Sequence, residues 1–264
     1  MYRRRALFEE FSGRFPGGCR TVTGRSIAEN LAGRRATDRE VIRPFGEPLR
    51  ERAGFLVLKG NLFDFAIMKM SVVSDDFRSR YLAEPGRQGI YEGRAVVFDG
   101  SEDYHKRIDD PALGIDERTI LVIRGAGPLG WPGSAEVVNM QPPAALLKKG
   151  ITSLPTIGDG RQSGTADSPS ILNASPESAA GGGLAWLRSG DTIRIDFNMG
   201  RCDMLVEAAE IERRKADGIP AVPASQTPWQ KLYRETVTQL SDGAVIKGAP
   251  EFRKIAERPP RHNH

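Results

Sequence analysis

The sequence contains little cysteine, little histidine and no long apolar run. Its 264 residues include two cysteines, Cys19 and Cys202, and three histidines. Two cysteines so far apart, without CxxC or Cys/His spacing, exclude a disulfide framework and a self-contained metal site. No apolar stretch approaches the roughly 18 residues of a membrane-spanning helix, and none has signal-peptide flanks. We therefore expect a cytoplasmic protein with no membrane partner.

Charge of one sign is not concentrated either. The chain has 38 Lys and Arg against 34 Asp and Glu, which gives a net charge of +4. A nucleic-acid-binding protein more often shows a concentrated basic stripe with interleaved aromatic residues. Here the basic residues are scattered and aromatic residues make up 7% of the chain. We therefore expect no nucleic-acid partner.

The middle of the chain is rich in short apolar and β-branched runs. FLVLKG, FAIMKM, RAVVFDG and TILVIRG are predicted strands, and LAWLRSGDTIRIDF is a predicted hairpin. Helices are predicted for IAENLA, SEDYHKRI, SAEVVNM, PPAALLKKG, DMLVEAAEIERRKADG and TPWQKLYRETVTQL. The order is irregular, with more strands than helices in the middle. This favours an α/β fold in which a closed or strongly curved mixed β-barrel carries flanking helices.

Residues 125 to 130, GAGPLG, match the GxGxxG pattern of dinucleotide-binding loops and follow a predicted strand. That fingerprint also needs a helix starting inside the motif and an acidic residue about 20 positions later. Pro128 and Pro132 interrupt the turn, and the later region, LLKKGI, has no carboxylate. A structural loop that shapes a pocket is favoured, and a dinucleotide-binding module remains the alternative.

Two other residues have both a structural and a chemical interpretation. Glu136 falls in the first turn of the predicted helix SAEVVNM, where an acid is favourable, but it could also bind Mg²⁺. Ser163 lies between Gly160 and Gly164 in GRQSG, where serine commonly forms a turn. A chemical role for Ser163 requires a base or a cation to activate its hydroxyl.

Several long strings together resemble the dihydroxy-acid/sugar-acid dehydratase family, which includes phosphogluconate dehydratase. They are TVTGRSIAENLAG, GFLVLKGNLFDFAIMK, RAVVFDGSEDYHKRIDDPALGIDE, LVIRGAGPLGWPGSAEVVNM, LPTIGDGRQSGTADSPSILNASPESAAGGG and the terminal PRHNH. The GWPGSAE, GRQSGTADSPSILN and RHNH variants are most similar to the branch that acts on pentonates such as D-xylonate and L-arabinonate. The resemblance covers only the C-terminal half of family members. It implies that residues 21–264 form the C-terminal β-barrel domain, of the swivelling type, and that residues 1–20 are a remnant of the preceding domain and linker.

The resemblance also implies roles for individual residues. Ser163 would be the base that removes the C2 proton of the sugar acid, and Glu136 would bind Mg²⁺. Thr165 and His264 would contact substrate, with His262 a weaker candidate. Complete family members also hold a [2Fe-2S] or [4Fe-4S] cluster on cysteines that this chain lacks.

The implied activity is β-elimination of water from a pentonate to give a 2-keto-3-deoxy acid. The expected partners are the sugar-acid substrate and the N-terminal domain or a separate chain that replaces it, and the complete enzyme would be a homo-oligomer. The isolated chain is expected to be inactive. The alternatives are a dihydroxy-acid dehydratase of branched-chain amino-acid biosynthesis and a non-catalytic truncated or split subunit.

Overall fold

The chain divides into two compact units, Met1–Ala53 and Gly54–His264. The computed structural model describes residues 16–33, 38–41, 43, 46–48, 51, 53–131, 133–162 and 169–252. In the first unit, helix α1 spans Ile27–Leu31. Its capping box is formed as predicted, because Ser26 and Glu29 each accept a hydrogen bond from the other's backbone N–H. The boundary after residue 20 stays a prediction.

The second unit is built around a closed barrel of eight strands in the order β1-β2-β6-β5-β4-β3-β7-β8. The strands are β1 Phe55–Gly60, β2 Phe63–Lys69, β3 Ile90–Asp99, β4 Ile120–Arg124, β5 Thr156–Gly158, β6 Ser170–Ser175, β7 Thr192–Asp196 and β8 Arg201–Met204.

The barrel is mixed, as the sequence predicts. Strands β3, β4, β5 and β6 run parallel to one another. Strands β1 and β2, β2 and β6, β3 and β7, and β7 and β8 pair antiparallel. One parallel pair of residues, Lys59 and Arg201, joins β1 to β8 and closes the barrel.

Short helices accompany the barrel, and none within the described ranges has the length and apolarity of a membrane-spanning segment. They are α2 Asp75–Tyr81, α3 Ser101–Arg107, α4 Ala144–Leu147, α5 Ala208–Ala216 and α6 Pro228–Thr236.

Strand β4 shows why a parallel strand of this barrel has apolar residues at successive positions. Its residues Ile120 and Val122 lie in a core cluster to which all eight strands contribute, which is the barrel interior. Leu121 and Ile123 lie in a second cluster, outside the barrel, with residues such as Leu146 of α4. A strand buried on both faces needs apolar residues at every position rather than at alternate ones.

Two predicted elements are wrong, and the helix predicted from Asp203 begins only at Ala208, because Asp203 and Met204 belong to β8. SAEVVNM is not a helix, because Gly133 and Ser134 have φ angles of 91° and 55° and the segment instead bonds to Arg161. The first arm of the predicted hairpin is not a strand either, since Gly183–Ala185 forms a 3₁₀ turn. The second arm, β7, pairs instead with β3 and β8.

Candidate functional site

The four parallel strands end at one edge of the barrel. Strand β3 ends at Asp99, β4 at Arg124, β5 at Gly158 and β6 at Ser175. In open α/β sheets, ligands bind beyond the carboxyl ends of such strands because the following loops meet there. Glu136 lies in the loop that follows β4, so this edge is the place to look for a site.

Asp159, the first residue after β5, ties two of these loops together. It is fully buried. Its carboxylate accepts hydrogen bonds from the backbone N–H groups of Gly125 at 3.0 Å and Ala126 at 2.9 Å. It also accepts from the N–H of Ser178 at 2.9 Å and from its hydroxyl at 2.8 Å. Four donors make burial of this carboxylate tolerable and fix the loop after β4 against the loop after β6.

Glu177 holds the same loop at a second point. Its carboxylate accepts hydrogen bonds from the backbone N–H groups of Leu129 at 2.9 Å and Gly130 at 3.1 Å, and from Gln239 Nε2 at 2.8 Å. Burial nevertheless raises the pKa of Glu177 to about 7, and the nearby carboxylate of Asp159 acts in the same direction. Glu177 therefore titrates near neutral pH.

The GAGPLG segment is a fixed structural loop. A Cβ atom at Gly130 would lie 2.2 Å from the carbonyl oxygen of Gly125, so the turn requires glycine there. No helix starts in the described part of residues 125–143. Its first residue, Gly125, lines a small pocket together with Trp131 and Val222. These observations favour the pocket-shaping interpretation over dinucleotide binding.

Glu136 lies beside the turn formed by Gly160 and Arg161. The N–H of Arg161 donates to the carbonyl of Ala135 at 2.8 Å, and the N–H of Val138 donates to the carbonyl of Arg161 at 3.2 Å. Arg161 Nη1 lies 3.5 Å from Glu136 Oε1, and the two side chains are 53% and 45% exposed. An ion pair this exposed contributes about 1 kcal/mol or less, so the Glu136 carboxylate remains available to a cation.

The described residues of this edge could form only part of a Mg²⁺ site. Mg²⁺ is commonly held by one or two protein carboxylates together with water and substrate oxygens. No group of three or more His, Cys, Asp or Glu residues in the described ranges is arranged to hold an ion. Glu136 would therefore supply a single ligand.

The cysteines do not fit an iron–sulfur cluster. Such clusters are held by several thiolates in one place. Cys19 is exposed, whereas Cys202 is fully buried in the barrel interior, where burial raises the pKa of its thiol. The two residues also belong to different units of the chain.

The other predicted site residues lie outside the described residues. These are Ser163, Thr165, His262 and His264. The structure follows the chain to Gln162, next to the predicted base. Their roles in catalysis and substrate contact stay predictions.

Sequence reasoning missed Asp159, Glu177 and Ser178. Each is a short acid or serine in a Gly- or Pro-containing segment, where such residues usually form turns. A usable signal was present for Asp159, which comes directly after the apolar run ending in TIG. An acid directly after a buried parallel strand lies where neighbouring loops meet.

The comparison with protein families matches residues 40–244 to the C-terminal domain of dihydroxy-acid/6-phosphogluconate dehydratases. The chain is 70% identical over 252 residues to a D-xylonate dehydratase from Caulobacter vibrioides. It is 36% identical to an L-arabonate dehydratase from Azospirillum brasilense and 36% identical to a dihydroxy-acid dehydratase from Clostridium botulinum.

These matches include nearly all of this chain but less than half of each relative. The Caulobacter match covers 96% of the chain and 42% of the relative. The Azospirillum match covers 86% of the chain and 38% of the relative, and the Clostridium match covers 87% and 39%. The longer relatives therefore contain a large region with no counterpart here.

Proposed function

Because the chain belongs to the dihydroxy-acid/6-phosphogluconate dehydratase family, we propose that it forms the C-terminal part of a sugar-acid dehydratase. The substrate class is a pentonate such as D-xylonate. Identity of 70% to a D-xylonate dehydratase, against 36% to a dihydroxy-acid dehydratase, supports a pentonate over a branched-chain precursor. The region of the relatives that this chain does not cover would complete the site, either as a preceding domain or as a separate chain.

The observation that supports this proposal most directly is the pairing of Glu136 with the Gly160–Arg161 turn. The chain that leads to Ser163 starts from this turn, beside the one exposed carboxylate proposed to bind a metal. A base that follows this turn in the sequence, together with a metal ligand beside the turn, would suit removal of a proton next to a carboxylate.

In the proposed reaction, Ser163 acts as the alkoxide and removes the proton from C2, and the C2 electron pair forms the new C2–C3 double bond as the C3–O bond breaks. The leaving hydroxide takes that proton back from Ser163 to become water, and the resulting enol moves the proton of its 2-hydroxyl to C3, which gives a 2-keto-3-deoxy acid. Thr165 and His264 contact the substrate. Glu136 would be one ligand of Mg²⁺, which when bound would make the C2–H of the substrate more acidic. Because the cysteines of this chain do not fit a cluster, any cluster would belong to the region that this chain does not cover.

The test is reconstitution. The 264-residue chain is produced together with the uncovered region of the Caulobacter relative, and formation of 2-keto-3-deoxy acid from D-xylonate is measured. We expect activity from the pair and none from the chain alone. Ser163→Ala should lower kcat by roughly 10²–10⁴-fold, which is the usual contribution of a general base.

The matched control is Ser153→Ala, a serine in another loop, which should keep the activity. Two results would contradict the proposal: dehydration by the chain alone, or full activity of the Ser163→Ala pair.

A further inference from the structure

Two side-chain oxygens in the described part of the barrel unit are buried and have no hydrogen-bond partner. They are Ser134 Oγ and Asn173 Oδ1. Ser134 is 6% exposed. Nearly all buried polar atoms in proteins are hydrogen-bonded, so each exception needs an explanation, and an unfilled ligand position is one.

The same two residues are held in a left-handed backbone conformation. The φ angles are 55° at Ser134 and 60° at Asn173, and Ala244 is the third non-glycine residue with a positive φ in the described ranges. Such conformations are uncommon for residues other than glycine and cluster at ligand-binding sites. Strain and an unsatisfied oxygen therefore coincide at both positions.

Asn173 also lies at an irregularity of strand β6. On β2, Phe65 pairs with Ser175 and Ile67 with Leu172, so β6 has one residue more than β2 between these pairs. A β-bulge of this kind redirects a side chain and is frequent next to active sites.

Both residues hold the turn that precedes Ser163. The N–H of Asn173 donates to the carbonyl of Gly160 at 2.9 Å. Arg161 Nε donates to the carbonyl of Ser134 at 2.7 Å. Ser134 lies two positions before Glu136. Both residues that carry an unpaired oxygen therefore contact the Gly160–Arg161 turn, which also contacts the proposed metal ligand Glu136.

We propose that Ser134 and Asn173 bind hydroxyl groups of the substrate's polyol chain and so set specificity among sugar acids. This inference depends on the proposed function, because it uses the same substrate. Asn173 Oδ1 can only accept a hydrogen bond, which suits a hydroxyl donor and not a carboxylate. A site built to bond a substrate hydroxyl strongly rejects an analogue that lacks it, because its buried polar groups are then left unpaired.

The test measures binding of D-xylonate and glycerate, by ligand-observed NMR in the presence of Mg²⁺, to the 264-residue chain reconstituted with the uncovered region of the Caulobacter relative. Glycerate carries the carboxylate and the 2- and 3-hydroxyls but lacks the 4- and 5-hydroxyls of D-xylonate. The variants are Ser134→Gly and Asn173→Gly, since glycine accepts a positive φ and both variants should fold. We expect each to weaken D-xylonate binding by roughly tenfold or more, the scale of one lost hydrogen bond, and to leave glycerate binding unchanged.

Ala244→Gly is the matched control, because it makes the same backbone change at another positive-φ residue, and it should leave both ligands' binding unchanged. Thermal unfolding supplies a second readout. Removing a strained residue with an unpaired oxygen should keep or raise the midpoint, whereas Ser178→Ala, which removes a satisfied buried hydroxyl, should lower it.

The inference is overturned if the reconstituted wild-type pair does not bind D-xylonate, or if pairs with either glycine variant bind it as the wild type does, which would indicate buried water at these positions. Failure of the proposed function gives a different pattern. In that case D-xylonate binds in a Ser134- and Asn173-dependent manner, yet the reconstituted pair forms no product.

Discussion

At the scale of single residues, Glu177 is a buried carboxyl whose environment moves its pKa to near neutral. It is buried, and its carboxylate accepts hydrogen bonds from two backbone N–H groups of the loop after β4. Burial raises its pKa to about 7. The unfolded chain binds the same proton with an ordinary pKa near 4.5. The folded state therefore favours the protonated form.

The sign of the pH dependence follows from this difference. The raised pKa stabilises the fold fully below about pH 4.5, and this contribution is lost as the pH rises through about 7. We expect the free energy of unfolding to fall by about 2–3 kcal/mol from this group over that range, at 1.36 kcal/mol per pKa unit. Glu177→Gln, which mimics the protonated form, should flatten the dependence.

Denaturant unfolding at several pH values between about 5 and 8 measures this slope directly. Glu212→Gln is the control, because Glu212 is an exposed glutamate paired with Lys215 and its replacement should leave the slope intact. An unchanged slope in Glu177→Gln would show that another group is responsible.

The sequence predicts some candidate residues of the site but not those that hold its loops in place. Glu136 and Ser163 were selected because the strings around them resemble a family. Asp159 and Glu177 were missed because their importance comes from backbone N–H groups supplied by distant loops. Asp159 bonds to Ala126, 33 positions away in the chain, and Glu177 bonds to Leu129, 48 positions away. Local sequence does not encode such pairs.

At the scale of elements, the loop after β4 is held by carboxylates rather than by its own secondary structure. Asp159 and Glu177 together accept hydrogen bonds from four backbone N–H groups of residues 125–130. The loop therefore depends on two side chains that come from other elements.

We expect Asp159→Ala to lower the free energy of unfolding by roughly 3 kcal/mol or more, because it leaves several buried donors unpaired at 1–3 kcal/mol each. It should also release the loop. Hydrogen exchange of the Ala126 amide, which donates to Asp159, measures this release and should accelerate more than exchange within β4.

Ser170→Ala is a suitable comparison, since Ser170 is also buried but its hydroxyl pairs only with that of Thr156. Ser170→Ala should lower the free energy of unfolding by less than Asp159→Ala does, and it should leave hydrogen exchange of the Ala126 amide unchanged. If the Ala126 amide is as protected in Asp159→Ala as in the wild type, Asp159 does not hold the loop.

Elements were predictable where the local pattern and the tertiary structure agree. The run ILVI gives β4, and Thr227 with Pro228 gives α6, whose capping box is formed with Gln230. SAEVVNM has a helical pattern of apolar residues, but its Val138 packs outside the barrel while its backbone bonds to Arg161. The hydrogen bonds of this segment with Arg161, which follows β5, override its local preference for a helix.

At the scale of the whole molecule, the mixed β-barrel was predictable in class but not in order. The irregular succession of strands and helices indicated a closed mixed sheet. The pairing of β2 with β6, and of β3 with β7, joins segments about 100 residues apart. Only the three-dimensional structure supplies that order, and with it the four parallel strands that bring the site loops together.

The same scale includes an apolar surface whose effect on assembly can be measured. Helix α6 has no buried residue, and Trp229, Leu232 and Tyr233 are 78%, 50% and 36% exposed at i, i+3 and i+4 spacing. Its Arg234 lies on the loop after β4, donating to the carbonyl of Gly130 at 2.9 Å. An exposed apolar stripe on an anchored helix favours association.

We therefore expect the isolated chain to associate as its concentration rises, and Leu232→Lys to shift it towards the monomer, because a charge in the stripe opposes burial of the surface. Sedimentation velocity over a concentration series measures the change. Met199→Lys is the control, since Met199 is 73% exposed in the turn between β7 and β8 and lies outside α6. If the wild-type chain stays monomeric at high concentration, or if both variants change the association equally, the α6 stripe is not the surface that drives assembly.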